Sequence, residues 1–193
     1  MSRTRTWIET TRGPHVLIPA EQLSRWRGIE GWSSHEDPED QSDYARACRA
    51  TGWLGSIVCG NGAAVILSGD AGDVAWYADD REDRGVLVQW IGVDDERPIE
   101  PALRAPQLRA DLDGPDAERL EFETGASGVM YLIDSADRGD DLRSHHLTLA
   151  LRPGRYLARA AYQHSTGLAI VVREIGWISR LPTAGRQAAA PDS

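Results

Sequence analysis

Hydrophobic and polar residues alternate with a period of two through the second half of the chain. Leu120 and Phe122, for example, are flanked by charged residues at positions 119, 121 and 123. This period is typical of β-strands that bury one face. The pattern predicts five strands joined by short turns, which together favour an antiparallel meander. The alternating positions are Leu120, Phe122 and Thr124; Val129, Tyr131 and Ile133; Leu147, Leu149 and Leu151; Tyr156, Ala158, Ala160 and Tyr162; and Leu168, Ile170 and Val172.

The first half of the chain predicts shorter strands and two short helices. Pro19 stands where a first helical residue is favoured, and Gly28 would end that helix. Ser42 or Asp43 can cap a second helix. Asn61, between two glycines, indicates a tight hairpin. The predicted strands cover residues 6–11, 15–18, 53–59, 63–67, 74–78 and 86–93.

These elements predict an α+β fold that is mostly antiparallel β-sheet. Two short helices belong to the N-terminal half and a β-meander to the C-terminal half. Four prolines in residues 95–117 disfavour a long helix there and indicate a connector with at most short helical pieces. We therefore expect an N-terminal lobe (1–97), a Pro-rich connector (98–117), a β lobe (118–181) and a disordered tail (182–193).

The charge balance narrows the classes of partner. The net charge is −9, and all 21 basic residues are arginine. Nucleic acids and anionic membrane surfaces favour clustered positive charge, so we expect neither as a partner. An acidic protein is suited to a basic partner, because complementary charge speeds encounter. Solubility alone is the simpler explanation of the same charge.

Residues that commonly carry chemistry do not form a catalytic or metal-binding pattern. Cys48 and Cys59 lack metal-ligand spacing and are expected to be buried thiols. The five histidines are expected at surface or capping positions, and we expect no metal and no cofactor. The acidic stretch Asp134–Asp141 could suggest calcium, but Arg138 lies within it and a solvated turn is favoured. The sequence shows neither a signal peptide nor an apolar stretch of membrane-spanning length, which predicts a cytoplasmic protein. The missing catalytic signatures predict a protein without enzymatic activity.

One family resemblance points to a function. It rests on apolar, Gly, Pro and Trp positions at matching spacing over about residues 5–95. The best-matched segments are Gly13–Pro19 and Asp43–Cys48, and further matches fall at Trp26, Trp76 and Leu87–Trp90. This order resembles the Immunity protein 21 family of bacterial polymorphic toxin systems. The resemblance implies a protein that binds and neutralises a cognate toxin.

A toxin-binding surface would combine an aromatic anchor with acidic rim residues. Trp32 is the candidate anchor, because it lies in a polar segment without an evident strand or helix to cover it. Residues 1–97 carry 17 acidic residues against 10 arginines, and residues 98–193 carry 13 against 11. The acidic candidates for contact with the toxin are Glu36, Asp37, Glu39, Asp40, Asp79, Asp80, Glu82, Asp83, Asp94, Asp95 and Glu96.

Two other classes of function stay open. Carboxylates and tryptophans together could serve a hydrolase or a carbohydrate-binding protein, which would need two acids facing one apolar groove. A scaffolding module without a ligand is the third possibility. The sequence does not determine the oligomeric state, the identity of the toxin or the role of residues 98–181.

Overall fold

The chain folds into two antiparallel β-sheets with short helices on their outer faces. The computed structural model describes residues 6–10, 13–30, 42–69, 72–79, 83–93, 98–142, 145–165 and 167–181. Within them the six-stranded sheet has the order β1-β5-β6-β11-β10-β7, and the five-stranded sheet has the order β3-β4-β2-β8-β9. The strands are β1 (Trp7–Ile8), β2 (His15–Pro19), β3 (Gly55–Cys59), β4 (Gly62–Leu67), β5 (Val74–Ala78), β6 (Arg84–Val93), β7 (Glu118–Glu123), β8 (Val129–Asp134), β9 (Leu147–Ala150), β10 (Arg155–Ser165) and β11 (Leu168–Ser179).

The main core lies between the two sheets. Leu17 and Leu132 of the five-stranded sheet belong to one buried cluster with Leu87 and Ile175 of the six-stranded sheet. Each alternates along its strand with residues on the opposite face, as the period of two requires. The alternation therefore reports which side chains meet between the sheets.

The helices cover the outer faces of both sheets. A 3₁₀ helix (Ala20–Arg25) and α1 (Asp43–Ala47) lie in the first half of the chain. Ser42 caps α1, because its Oγ accepts a hydrogen bond from the amide of Ala45 at 3.1 Å. Two further helices, α2 (Ile99–Leu103) and α3 (Pro106–Asp113), pack apolar residues against the outer face of the six-stranded sheet.

The five predicted strands of the second half are present, but the predicted meander is wrong. β7 pairs with β10 in the six-stranded sheet, whereas β8 pairs with β2 and β9 in the other. Gly125 and Gly128, between β7 and β8, have φ values of 77° and 72°. Glycine adopts this left-handed conformation without steric cost, and here it accompanies the passage of the chain from one sheet to the other.

Neither sheet corresponds to one of the two predicted lobes. β6 pairs with β11, and β2 pairs with β8, so each sheet combines strands from residues 1–97 with strands from residues 118–181. The predicted connector contains α2 and α3. The tail from residue 182 lies outside the described residues.

Three local predictions are corrected by the structure. Pro19 ends β2 and precedes the 3₁₀ helix instead of starting a helix. Cys48 is exposed, because it follows α1 on the side away from the sheet, whereas Cys59 is buried as expected. His15 is fully buried, because its position on β2 faces the space between the sheets.

Candidate functional site

Most of the acidic candidates lie outside the described residues. Asp79 and Asp83 are described, and both lie in the turn between β5 and β6. Asp79 is exposed and Asp83 is half-buried. Their backbones form hydrogen bonds within the six-stranded sheet. The Asp79 amide donates to the carbonyl of Arg84, and the Asp83 carbonyl accepts from the amide of Trp177. The candidates outside the described residues are Trp32, Glu36, Asp37, Glu39, Asp40, Asp80, Glu82, Asp94, Asp95 and Glu96.

The acidic segments on either side of β6 join the fold at opposite ends of that strand. β6 runs from Arg84 to Val93 and is flanked by the turn containing Asp79 and Asp83 and by residues 94–96. At ~3.3 Å per residue its ends are ~30 Å apart. The structure therefore does not bring the two attachment points together.

The acidic stretch Asp134–Asp141 forms a turn closed by its own arginine. Arg138 pairs with Asp140 at 2.7 Å and with Glu30 at 2.6 Å. Asp134 is buried, and its Oδ1 accepts the amide of Ala136. Among the residues that the structure describes, no three His, Cys, Asp or Glu side chains are grouped so as to hold a metal ion. The turn is thus solvated only in part, with Asp134 and Ser135 buried at its start.

A stack of aromatic rings lies where β10 extends beyond its neighbour β7. β7 pairs with β10 only as far as Ala160, so the last five residues of β10 have no β7 partner. Tyr162 is 43% exposed there. Its ring stacks on Trp53, with centroids 5.7 Å apart and planes 10° apart, and on His164 at 6.2 Å and 14°.

Trp53 is held in place by its backbone and by its ring. Its amide donates to Glu118 Oε2 at 2.7 Å, and its carbonyl accepts from Arg173 Nε at 2.9 Å. A Cβ added to Gly69 would come within 2.6 Å of the Trp53 ring, so the ring packs directly on that glycine. These contacts fix the ring on which Tyr162 stacks.

A pocket of about 390 Å³ opens beside this stack. Tyr162 and Trp53 form its aromatic wall. Alanine residues of α3 and β10, together with Gly114 and Ala117 in the segment after α3, leave the space unfilled. Asp111 and Asp116 also line it. Asp111 accepts hydrogen bonds from Gln107 and Gln163, whereas Asp116 is exposed and has no partner among the described residues. The pocket therefore combines a rigid apolar wall with one free carboxylate.

A larger acidic groove, about 690 Å³, lies at the other end of β7. It runs between β7 and the β3–β4 hairpin, with Val58 exposed at its side. Glu21, Glu121 and Glu123 line it. Glu121 forms an ion pair with Arg155, and Glu21 accepts the amide of Ser127 at 2.7 Å, while Glu123 has no ion pair among the described residues.

The pocket and the groove lie along one side of the molecule. Glu118, at the start of β7, contacts the residues before β3, and Glu123, at the end of β7, lines the groove with Val58. β7 spans ~17 Å at ~3.3 Å per residue. We call this side the β3/β7 face, defined by Trp53, Val58, Asp116, Glu121, Glu123 and Tyr162.

The comparison with family models identifies the family. The model described as Immunity protein 21 matches residues 6–167, which is more than half of the chain. The chain belongs to the Immunity protein 21 family. Comparisons with curated proteins and with solved structures gave no match. The match extends beyond the resemblance at residues 5–95 and includes α2, α3 and the strands from β7 to β10.

Family membership implies an immunity protein of a toxin system. Because the match reaches residue 167, both ends of the β3/β7 face lie within the family region of this Immunity protein 21 member. None of its described helices is long and apolar enough to cross a membrane.

Sequence reasoning missed the residues of the β3/β7 face. Tyr162 continues the inward row of Tyr156, Ala158 and Ala160, so the alternation assigned it to the core. The signal that distinguishes it is the length of β7, which stops at the level of Ala160. The length of β7 determines which of these four side chains are covered. This coverage is known only once the pairing of β7 with β10 is known.

Proposed function

We propose that this Immunity protein 21 member binds a cognate bacterial toxin by direct protein–protein contact and thereby neutralises it. The observation that carries the proposal is the family match over residues 6–167. The proposal requires a surface that covers the toxin and needs no chemical step. It places the protein in the cytoplasm of the cell that must be protected.

The described surface supports binding to a protein. Tyrosine and tryptophan supply large contact areas at low entropic cost, and they are enriched among residues that dominate binding energy. Tyr162 is exposed on a fixed Trp53, and Asp116 and Glu123 are free carboxylates on the same side. Such a surface has both an anchor and a charged rim.

The net charge of −9 supports a basic toxin surface as the contact. Long-range attraction raises association rates for oppositely charged proteins and weakens with added salt. The acidic candidates at residues 36–40, 79–83 and 94–96 would add to this attraction as part of the overall charge. A toxin active site that binds an anionic substrate would present the complementary surface.

The proposal is tested by mixing the purified protein with the toxin domain encoded beside it. We expect a stoichiometric complex by size-exclusion chromatography, with a Kd below about 1 μM by calorimetry. Co-expression should restore growth of cells that produce the toxin, and an unrelated toxin domain serves as the control. Absence of a complex at micromolar concentrations, together with no rescue of growth, would exclude the proposed function.

A further inference from the structure

We infer that the β3/β7 face is the toxin-binding face, with Tyr162 as its anchor and with Asp116 and Glu123 as rim charges for a partner surface rich in arginine or lysine. This inference rests on the proposed function and adds its location and the chemistry of the partner. It assigns the contact to residues of the β3/β7 face instead of to Trp32 and the acidic candidates predicted from the sequence.

Tyr162 has the properties of an anchor because it is exposed and already fixed. Its ring is stacked on both Trp53 and His164, so little conformational freedom is lost when a partner covers it. The neighbouring pocket of about 390 Å³ has a floor of small side chains and can accept a partner side chain next to the ring. An aromatic side chain beside an open pocket is the arrangement expected at the centre of an interface.

Arg173 explains why the stack is rigid, and it acts as a positioning residue. Its side chain is fully buried between the sheets. It donates to the carbonyls of Trp53 and Ser68 and to Gln89 Oε1, at 2.9, 2.5 and 2.8 Å. All three acceptors are uncharged, and Nη1 has no hydrogen-bond partner within the described part of the chain. A buried guanidinium is costly unless hydrogen-bonded, so these bonds hold the segment that carries Trp53 firmly against β11.

The free carboxylates on the β3/β7 face indicate the charge of the partner surface. Asp116 and Glu123 are exposed at the two ends of β7 and have no ion pair among the described residues. They can therefore pair with a cation of the partner without breaking an existing contact. Arginine fits best beside Tyr162, since a planar guanidinium both packs against aromatic rings and pairs with carboxylates.

The experiment measures association and dissociation rates of the toxin complex by surface plasmon resonance at several salt concentrations. Tyr162→Ala should raise the dissociation rate by about 30-fold, as expected for loss of an anchor, while Tyr162→Phe keeps the stack and stays near the unmodified rate. The Asp116→Asn, Glu123→Gln double variant should mainly slow association and reduce its dependence on salt. Glu100→Gln is the control, because α2 packs over β5 and β6, away from β7, and it should leave both rates unchanged.

The outcomes separate this inference from the proposed function. If the unmodified protein binds the toxin but Tyr162→Ala and the double variant bind with unchanged rates, the β3/β7 face is not the contact and the inference is wrong. If the unmodified protein does not bind, the proposed function fails first. Glycan binding that depends on Tyr162 would also overturn the inference, because the face would then serve a sugar ligand. Circular dichroism spectra of each variant must match those of the unmodified protein.

Discussion

His15 shows how the position of one residue sets its chemistry. Its side chain lies between the sheets, where burial disfavours the charged imidazolium and lowers its pKa from 6.5 to about 4. Asp134 partly opposes this shift, and Arg173 adds to it. His15 Nε2 lies 3.0 Å from the carbonyl of Ile8, which can only accept, so Nε2 carries the proton of the neutral ring.

The buried His15 predicts a loss of stability in mild acid. Between pH 6.5 and pH 4 the unfolded chain binds a proton at this position that the folded protein does not bind. The free energy of unfolding should therefore fall as the pH is lowered through this range, by up to ~3 kcal/mol. Urea unfolding at a series of pH values measures the slope.

His15→Gln should flatten that pH dependence, whatever its effect on stability at neutral pH. The matched control is His164→Gln, which makes the same substitution at an exposed histidine. An unchanged slope in His15→Gln would show that another group causes the acid sensitivity.

At the scale of elements, the alternation and the turn residues predict most of the strands, but they do not predict which strands lie side by side in a sheet. The hairpin at Gly60–Asn61 forms, with Cys59 opposite Gly62, because two turn residues suffice to join adjacent antiparallel strands. The partners of β7 and β8 were not predictable in the same way. A period of two reports which side chains share a face, and it does not report which strand lies alongside.

The residues of the candidate site could not be predicted for the same reason. Runs of acidic residues are visible in the sequence, and they predict contacts with a basic partner. The β3/β7 face combines residues from three separated segments (53–58, 116–123 and Tyr162), and sequence spacing alone does not bring Trp53 next to Tyr162. Its rigidity depends on Arg173, which lies 120 positions from Trp53 and belongs to no sequence motif.

The turn after β8 supports a prediction at this scale. Gly139 donates its amide to the carbonyl of Trp26 at 2.9 Å, and Trp26 Nε1 donates to the carbonyl of Ser135 at 3.0 Å. A Cβ on Gly139 would lie 1.7 Å from the carbonyl oxygen of Leu23. Gly139→Ala should lower the free energy of unfolding by about 2 kcal/mol, since the backbone must shift to accommodate the methyl group.

Gly176→Ala is the matched control for that change. Gly176 lies in β11, and an added Cβ meets no atom within 4 Å. Its free energy of unfolding should change by less than about 1 kcal/mol. Equal effects of the two substitutions in urea titrations would argue against the tight contact at Gly139.

At the scale of the whole molecule, the two halves of the chain are interleaved. β6 of the first half pairs with β11 of the second along nine residue positions, and β2 pairs with β8 along five. The core between the sheets also draws residues from both halves, for example Leu17 and Ile175. The two halves should therefore unfold together, in one cooperative transition.

This interleaving predicts that fragments 1–97 and 98–193 do not fold separately. Each fragment lacks the partner strand of the β6–β11 and β2–β8 pairs and exposes core residues that the other fragment would cover. Circular dichroism and urea titration of each fragment should show no cooperative transition, whereas the full chain should show one. A cooperative transition in fragment 1–97 would instead support an independent N-terminal lobe.

The central position of β11 in the six-stranded sheet also affects synthesis on the ribosome. β6 and β10, its two neighbours, are both translated before it. At elongation rates of about 5–20 residues per second, residue 179 follows the end of β6 by on the order of ten seconds. Throughout that interval the edge of β6 that pairs with β11 stays open and apolar side chains stay uncovered, which makes the nascent chain a substrate for chaperones until β11 has been translated.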